Sequence, residues 1–277
     1  MGTKYEFNDE YIKVTGLGDF SLATTLDCGQ CFRWEADENG VFSGITGKNG
    51  CRIAQLGEEI RLYGVSRKEF DGIWREYFDF DRDYDELKKE FCEDKILAKA
   101  VGFAPGIRIL KQDRWEALCS FIISQNNNIK RIKGMIGRLC ENFGDETEFG
   151  MNSFPGAEKL AGLCEEDLAP LRCGFRAGYV LDAARKVADG EIDLEKIQKL
   201  PLEEARAELM KIRGVGPKVA ECALLYGMGR LECFPVDVWI KRAMSSMFPE
   251  GLPKCAEKYA GIAQQYIFHY VRNYGEK

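Results

Sequence analysis

At 277 residues the chain allows two domains, or one large one, at roughly 100–200 residues per domain, which excludes a disulfide-stapled miniprotein. Its 45% hydrophobic, 30% charged and 12% aromatic composition belongs to a folded globular protein and excludes a disordered one. With 39 Lys and Arg against 45 Asp and Glu, the formal charge of −6 repels nucleic acid and anionic membranes alike, so a polyanionic partner requires a local patch.

No run approaches the roughly 18 apolar residues of a membrane span, and Met1 to Asp9 lacks the basic and apolar regions of a signal peptide. The 11 cysteines are irregularly spaced, which fits reduced thiols in the cytosol or an equivalent compartment. Only Cys28-Gly-Gln-Cys31 has C-x-x-C form. It is open to a redox pair or half a zinc site, but no second pair follows and the single histidine, His269, is distant.

From about Tyr11 to Tyr63, short β-rich runs are cut by glycine: Gln30–Trp34, Val41–Ile45, Cys51–Ala54 and Ile60–Tyr63. Asn39-Gly40 and Asn49-Gly50 are hairpin-turn dipeptides, so this third reads as an antiparallel sheet. From Ser66 the pattern turns helical. Arg67 to Lys99 mixes both charge signs around Phe70, Trp74, Tyr77 and Leu87 and reads as a connector with apolar anchors. Beyond Val101 helix-length segments break at Phe103–Gly106, Asn142–Gly144, Asn152–Pro155, Cys173-Gly174, Leu200-Pro201, Gly214–Gly216, Phe234-Pro235 and Gly251–Pro253. The fold class is therefore α+β. An antiparallel sheet domain with connector helices spans residues 1–103, and an all-α region spans 104–277.

Within Met210–Leu225, Gly214-Val-Gly216 makes a hairpin between two helical patterns, with Pro217 suited to the first turn of the second. The new helix offers unpaired N–H groups and a positive dipole end to a phosphate, which gives an acidic protein a route to DNA. Alone, G-V-G is equally a plain α-α corner. About 20 residues later Phe234-Pro-Val-Asp-Val-Trp239 delivers Asp237 beside the next helix, and hairpin, Lys218 and Pro-Val-Asp together are specific. Lys218 on a first helical turn is poorly placed for a cation, which suggests another duty. Between Gly106 and Asn142 seven basic residues (Arg108, Lys111, Arg114, Lys130, Arg131, Lys133, Arg138) face Asp113, Glu116 and Glu141, a candidate basic stripe.

This constellation resembles the helix-hairpin-helix Gly/Pro/Asp DNA glycosylases. Thr25–Trp34, Ser120–Ile129, Gly174–Val180, Gly214–Cys222 and Pro235–Val238 narrow the resemblance to the eukaryotic-like 8-oxoguanine DNA glycosylase/lyases. It implies two helical subdomains enclosing a lesion cleft, with residues 122–182 inserted between 104–121 and 183–277. It also implies a repair enzyme that flips 8-oxoguanine, opposite cytosine, out of double-stranded DNA.

Lys218 is then the nucleophile that forms a Schiff base, and Asp237 stabilises the developing sugar cation. Gly29 reads the lesion's N7–H through its carbonyl, Gln264 reads the Watson–Crick edge, and Phe268 and Cys222 cover the two base faces. Asn126, Arg131, Phe175 and Arg176 hold the estranged base, and Gly214 and Gly216 meet the DNA backbone. The resemblance implies no cofactor, no metal, no membrane and a monomer. Cys222, Cys233 and Cys255 are too few and too far apart for the iron–sulfur cluster of sister enzymes. The compartment is the nucleoid-bearing cytoplasm of a prokaryote, or the nucleus or mitochondrion of a eukaryote. Three positions depart from the family pattern: Ile212-Arg213 replaces Leu-Pro, Phe175 replaces tyrosine and Trp239 replaces histidine. Rival readings are a cluster-free sister acting on another damaged purine, a non-catalytic DNA-binding protein, and a thiol–disulfide protein built on Cys28 and Cys31.

Overall fold

The computed structural model describes residues 2–274. Six strands, β1 (Lys4–Phe7), β2 (Tyr11–Thr15), β3 (Trp34–Ala36), β4 (Phe42–Thr46), β5 (Asn49–Leu56) and β6 (Glu59–Tyr63), form one sheet in the order β1-β2-β6-β5-β4-β3. Every pairing is antiparallel. Ile12 opposite Leu62 and Val14 opposite Ile60 point to the same buried face, the two-residue alternation of a half-covered sheet. The Asn39-Gly40 turn forms as predicted, with Gly40 N–H donating to the Asp37 carbonyl at 3.1 Å. The second turn lies at Gly47-Lys48, and Asn49-Gly50 opens β5 instead. Gly50 is used for packing: a Cβ there would stand 1.9 Å from the Phe149 ring, which the helical region lays against the sheet.

Helical structure starts at Ser66, whose side chain and that of Glu69 form a reciprocal capping box. The segment read as a connector does more than connect. Phe70, Trp74, Phe78 and Phe80 are wholly buried under the sheet, where Trp74 meets Trp34 edge-on at 5.9 Å between centroids. With Tyr77 these supply five of the eighteen buried residues of the sheet domain's core, so the apolar anchors are core residues.

In the helical region, Arg114–Ile123 is buried from Glu116 to its end and forms the axis of the second core. Around it pack Ile129–Phe143, whose Ile132, Met135, Ile136 and Leu139 give one apolar stripe, and Arg176–Ala188. The hairpin helix Pro217–Cys222, Val238–Ser246 and the C-terminal Ala260–Tyr274 complete the bundle. Each sequence-marked break falls between helices or at a helix end. An ion pair at 3.4 Å between Arg33 of the sheet domain and Glu116 of the axial helix joins the two parts. Burial pushes the Glu116 carboxyl up to about 7, with Arg33 opposing. No helix among the described residues is long and apolar enough to cross a membrane.

Candidate active site

The helix Leu202–Leu209 leads into the hairpin. Gly214 has φ +79°, and a Cβ there would stand 2.2 Å from the Tyr179 ring, so backbone conformation and close approach both require glycine. Gly216 is the N-cap of the helix Pro217–Cys222, with no side-chain cap and no atom within 4 Å of a Cβ position. The leading N–H groups of that helix therefore have no capping side chain. Arg213, standing where the family pattern has proline, uses the N–H that proline lacks: it donates to Asp182 Oδ2 at 2.7 Å.

Lys218, half-buried on the first turn, has its Nζ 3.4 Å from Ser124 Oγ and 5.2 Å from the Phe121 ring centroid. Both partners come from the end of the axial helix. Glu221, one turn on, is buried; it accepts from Arg206 Nε and from the Phe234 N–H, each at 2.6 Å. It thereby ties the lysine helix to the turn carrying Asp237. Asp237 is the N-cap of Val238–Ser246, its Oδ1 accepting from Ile240 N–H at 2.8 Å. Lys218 and Asp237, 19 positions apart in sequence, line one cleft of about 800 Å³.

Gly29 and Phe268 line the same cleft. Gly29 has φ +90° and follows the short helix Leu22–Asp27; its missing Cβ would stand 3.1 Å from Ile129 Cδ1 and 3.7 Å from Phe268 Cε1. Gln264, one turn before Phe268, is only 5% exposed and is not among the residues lining the cleft; its Oε1 meets no donor among the described residues. Cys222 is also buried and is not a lining residue. Burial raises its thiol above the ordinary range while neighbouring Lys218 opposes.

At the other end of the cleft, Asn126 adopts φ +47° in the loop leaving the axial helix. The buried Arg176 braces that loop, its Nε donating to the Gln125 carbonyl at 2.7 Å and its Nη2 to the Asn126 carbonyl at 2.9 Å. Burial, with neighbouring Arg131 in the same direction, lowers this guanidinium from its usual range. Arg131 is exposed on the first turn of Ile129–Phe143. Phe175 is 53% exposed beside Arg176, whose guanidinium carbon is 4.5 Å from the ring centroid.

The basic stripe does not exist as a surface. Arg108 is buried, donating to the Asp79 and Leu17 carbonyls, while Arg138 donates to the Leu171 carbonyl. Lys111 pairs with Asp79, Lys133 pairs with Asp27, and Arg114 donates to Gln198. Neighbours in sequence point to different sides of a helical bundle, so only Lys130 and Arg131 of the seven are exposed beside the cleft. The cations that line it are Lys218, Lys241 and Arg272. Lys241 and Arg272 went unnoticed in the sequence, although each stands four positions after a candidate residue, Asp237 and Phe268, and so shares its helix face. Cys28 and Cys31 are buried free thiols, each donating to a carbonyl, and burial pushes Cys28 up to about 12. A thiolate-based redox role is poorly served there.

Known proteins share this sequence pattern and fold. Residues 14–118 match the family model for the 8-oxoguanine DNA glycosylase N-terminal domain, and residues 119–258 match that for the HhH-GPD superfamily base excision DNA repair proteins. An N-glycosylase/DNA lyase of Saccharomyces cerevisiae is 35% identical over 81% of this chain and 67% of its own length. One of Arabidopsis thaliana is 29% identical over 91% and 73%. The crystal structure of Clostridium acetobutylicum 8-oxoguanine glycosylase/lyase, in complex with double-stranded DNA containing cytosine opposite 8-oxoguanine, superposes with a TM-score of 0.92 at 39% identity, covering 99% of this chain and 100% of that one. A sheet domain, an uncapped hairpin helix bearing Lys218, and Asp237 at the next helix start thus belong to one lineage: the chain is a member of the 8-oxoguanine DNA glycosylase/lyase family within the HhH-GPD superfamily.

Proposed function

We propose that the chain excises 8-oxoguanine, opposite cytosine, from double-stranded DNA and then cleaves the abasic strand by β-elimination, with Lys218 as nucleophile. The observation that carries this reading is the meeting of Lys218, Asp237, Gly29 and Phe268 on one cleft large enough for a purine nucleoside. As a free amine Lys218 attacks C1′; the glycosidic bond breaks toward the base, which leaves after taking up a proton. Asp237, held by its cap bond, places a carboxylate beside the cationic sugar. The C1′–lysine adduct opens to an imine; loss of a C2′ proton then expels the 3′ phosphate.

Gly29 and Phe268 supply the recognition slot. The unmet Oε1 of Gln264 fits an N–H on the Watson–Crick edge. Exposed Phe175 suits the gap left by the flipped base, with Asn126, Arg131 and Arg176 beside it for the estranged cytosine. For Arg176 that contact means exchanging a carbonyl for a base acceptor. The enzyme works where its DNA lies, at a prokaryotic nucleoid or in a eukaryotic nucleus or mitochondrion.

Borohydride trapping tests the reading. Wild type should form a covalent adduct on a duplex with one 8-oxoguanine opposite cytosine, Lys218→Gln should form none, and unmodified guanine should give none with either. Preference for an alkylated purine would instead favour the sister-enzyme reading, and absence of any adduct or excision would favour a binding protein.

A further inference from the structure

We propose that Tyr226 and Gln265 are positioning residues for lesion recognition: a buried hydrogen-bond relay from the helix following Lys218 to the Cys28–Gly29 peptide. The inference rests on the reading of Gly29 as a lesion contact. Tyr226 lies in the wide turn Ala223–Gly227 that continues the lysine helix. Its hydroxyl bonds Gln265 Oε1 at 2.6 Å, and Gln265 Nε2 donates to the Cys28 carbonyl at 3.2 Å, 237 positions away in sequence.

Chemistry fixes the direction of both bonds. A carbonyl only accepts, so the amide nitrogen must face Cys28; the amide oxygen then faces Tyr226, whose hydroxyl must donate. Both side chains are buried, and burial raises the Tyr226 hydroxyl well above its ordinary range, which keeps it a neutral donor. The Tyr226 ring stacks on Phe121 at 5.1 Å and 17°, and Phe121 carries Lys218 Nζ over its ring. One continuous set of contacts therefore joins the nucleophile to the recognition turn.

Gly29 depends on such anchoring because it has no side chain of its own and adopts φ +90°. Among the described residues no group donates to its carbonyl. The far side of the turn is pinned by Gln30, whose Nε2 donates to the Thr25 and Arg108 carbonyls at 2.9 and 2.8 Å and whose Oε1 accepts from Leu110 N–H at 2.9 Å. Gln265 holds the near side. With the Cys28 carbonyl held on one side and the Gln30 side chain on the other, the Gly29 carbonyl keeps one place in the cleft wall.

Single-turnover excision on the 8-oxoguanine:cytosine duplex, set against borohydride trapping at a preformed abasic site, separates positioning from folding. Tyr226→Phe keeps the stacked ring and removes only the donor; Gln265→Leu removes the relay at similar volume. Each should slow excision about tenfold, the worth of one buried hydrogen bond, while trapping falls less than threefold. The double variant should be no slower than the worse single one, because the two side chains act as one unit. Wild-type excision in both variants would overturn the proposal, and so would parallel loss of excision and trapping. If the wild type leaves 8-oxoguanine in place, the functional reading itself falls, and the relay's role with it.

Discussion

Asp237 has two duties whose losses can be separated. It caps the helix Val238–Ser246 through a 2.8 Å bond to Ile240 N–H, and it lines the cleft with Lys218. Asp237→Asn keeps an oxygen for the cap and removes the charge; Asp237→Ala removes both. Loss of a side-chain cap costs about 1 kcal/mol, which in a chain of this size lowers Tm by roughly 2–4 °C. Loss of the charge alone forfeits only the anion's attraction to the helix start, about 0.3–0.5 kcal/mol, or under about 2 °C. For the reaction, a preorganised group facing developing charge is worth about 10²–10³ in rate, or roughly 2.7–4 kcal/mol. Both variants should therefore slow single-turnover excision by about 10²–10³, whereas calorimetry should show the Tm loss chiefly in Asp237→Ala. Wild-type excision by Asp237→Asn would refute the electrostatic role; equal Tm losses in the two variants would refute the cap.

Glu116 makes a pH prediction. Its folded pKa of about 7 lies above the ordinary 4.5, so between these values the folded state holds a proton that the unfolded state has released. Stability from this group is thus full below pH 4.5 and lost as pH rises through 7. Glu116→Gln should gain on wild type between pH 5 and 8, by on the order of 2–3 kcal/mol in denaturant titrations, and an unchanged difference would refute the burial argument. Gly214→Ala should cost about 1–3 kcal/mol from its positive φ and its approach to Tyr179. Gly216→Ala should stay within about 0.5 kcal/mol of wild type in stability yet weaken duplex binding if the open space before the helix start receives a DNA phosphate, because the methyl would enter it; equal affinity by fluorescence anisotropy would sink that reading. Phe175→Ala should leave Tm nearly unchanged and weaken binding to the lesion duplex roughly tenfold, the value of one stacked ring.

Much of this was legible in the sequence because glycine and proline mark chain direction by their own covalent chemistry. Every predicted helical break falls at a helix end or in the loop between two helices, and the hairpin lies at Gly214–Gly216. Partner-dependent features were not legible. β1 is an exposed edge strand whose Lys4–Phe7 carries no alternation, and the slip from Asn49-Gly50 to Gly47-Lys48 follows from Phe149 occupying the space beside Gly50. Gln30–Trp34 reads as a strand, but strand pairing begins only at Trp34, opposite Gly44, and the Gln30 side chain is buried among the Thr25 and Arg108 carbonyls. The motif exposed Lys218 and Asp237. Phe121 and Ser124, which touch the lysine, resemble ordinary core and helix-end residues until the axial helix is placed beside the hairpin.

Departures from local rules occur at the cleft as well as elsewhere in the fold. Asp83, Asp94, Asp113 and Asp193 cap their helices, and most buried polar groups find partners, so departures from these habits are informative. A lysine sits at the positive end of a helix at Lys218. A non-glycine residue holds positive φ at Asn126, a buried acceptor is unmet at Gln264, and a large aromatic is half exposed at Phe175. Departures of the same kinds occur away from the cleft: Asp79 holds φ +49° while bonding Arg82 and Tyr84, Arg172 ends a short 3₁₀ turn, Lys95 and Arg114 open their helices, and Phe7, Phe103 and Tyr274 are exposed. Trp74 Nε1, in the sheet core, is unpaired, and nothing in the structure explains it. On the proposed function the four departures at the cleft share one occupant: a flipped nucleotide and its surroundings would offer a sugar carbon to the amine, a base edge to the amide, a gap in the stack to the ring and an unpaired base to the asparagine. What sets the cleft apart is not the number of its departures but that they gather at one place, where the proposed substrate would meet all of them.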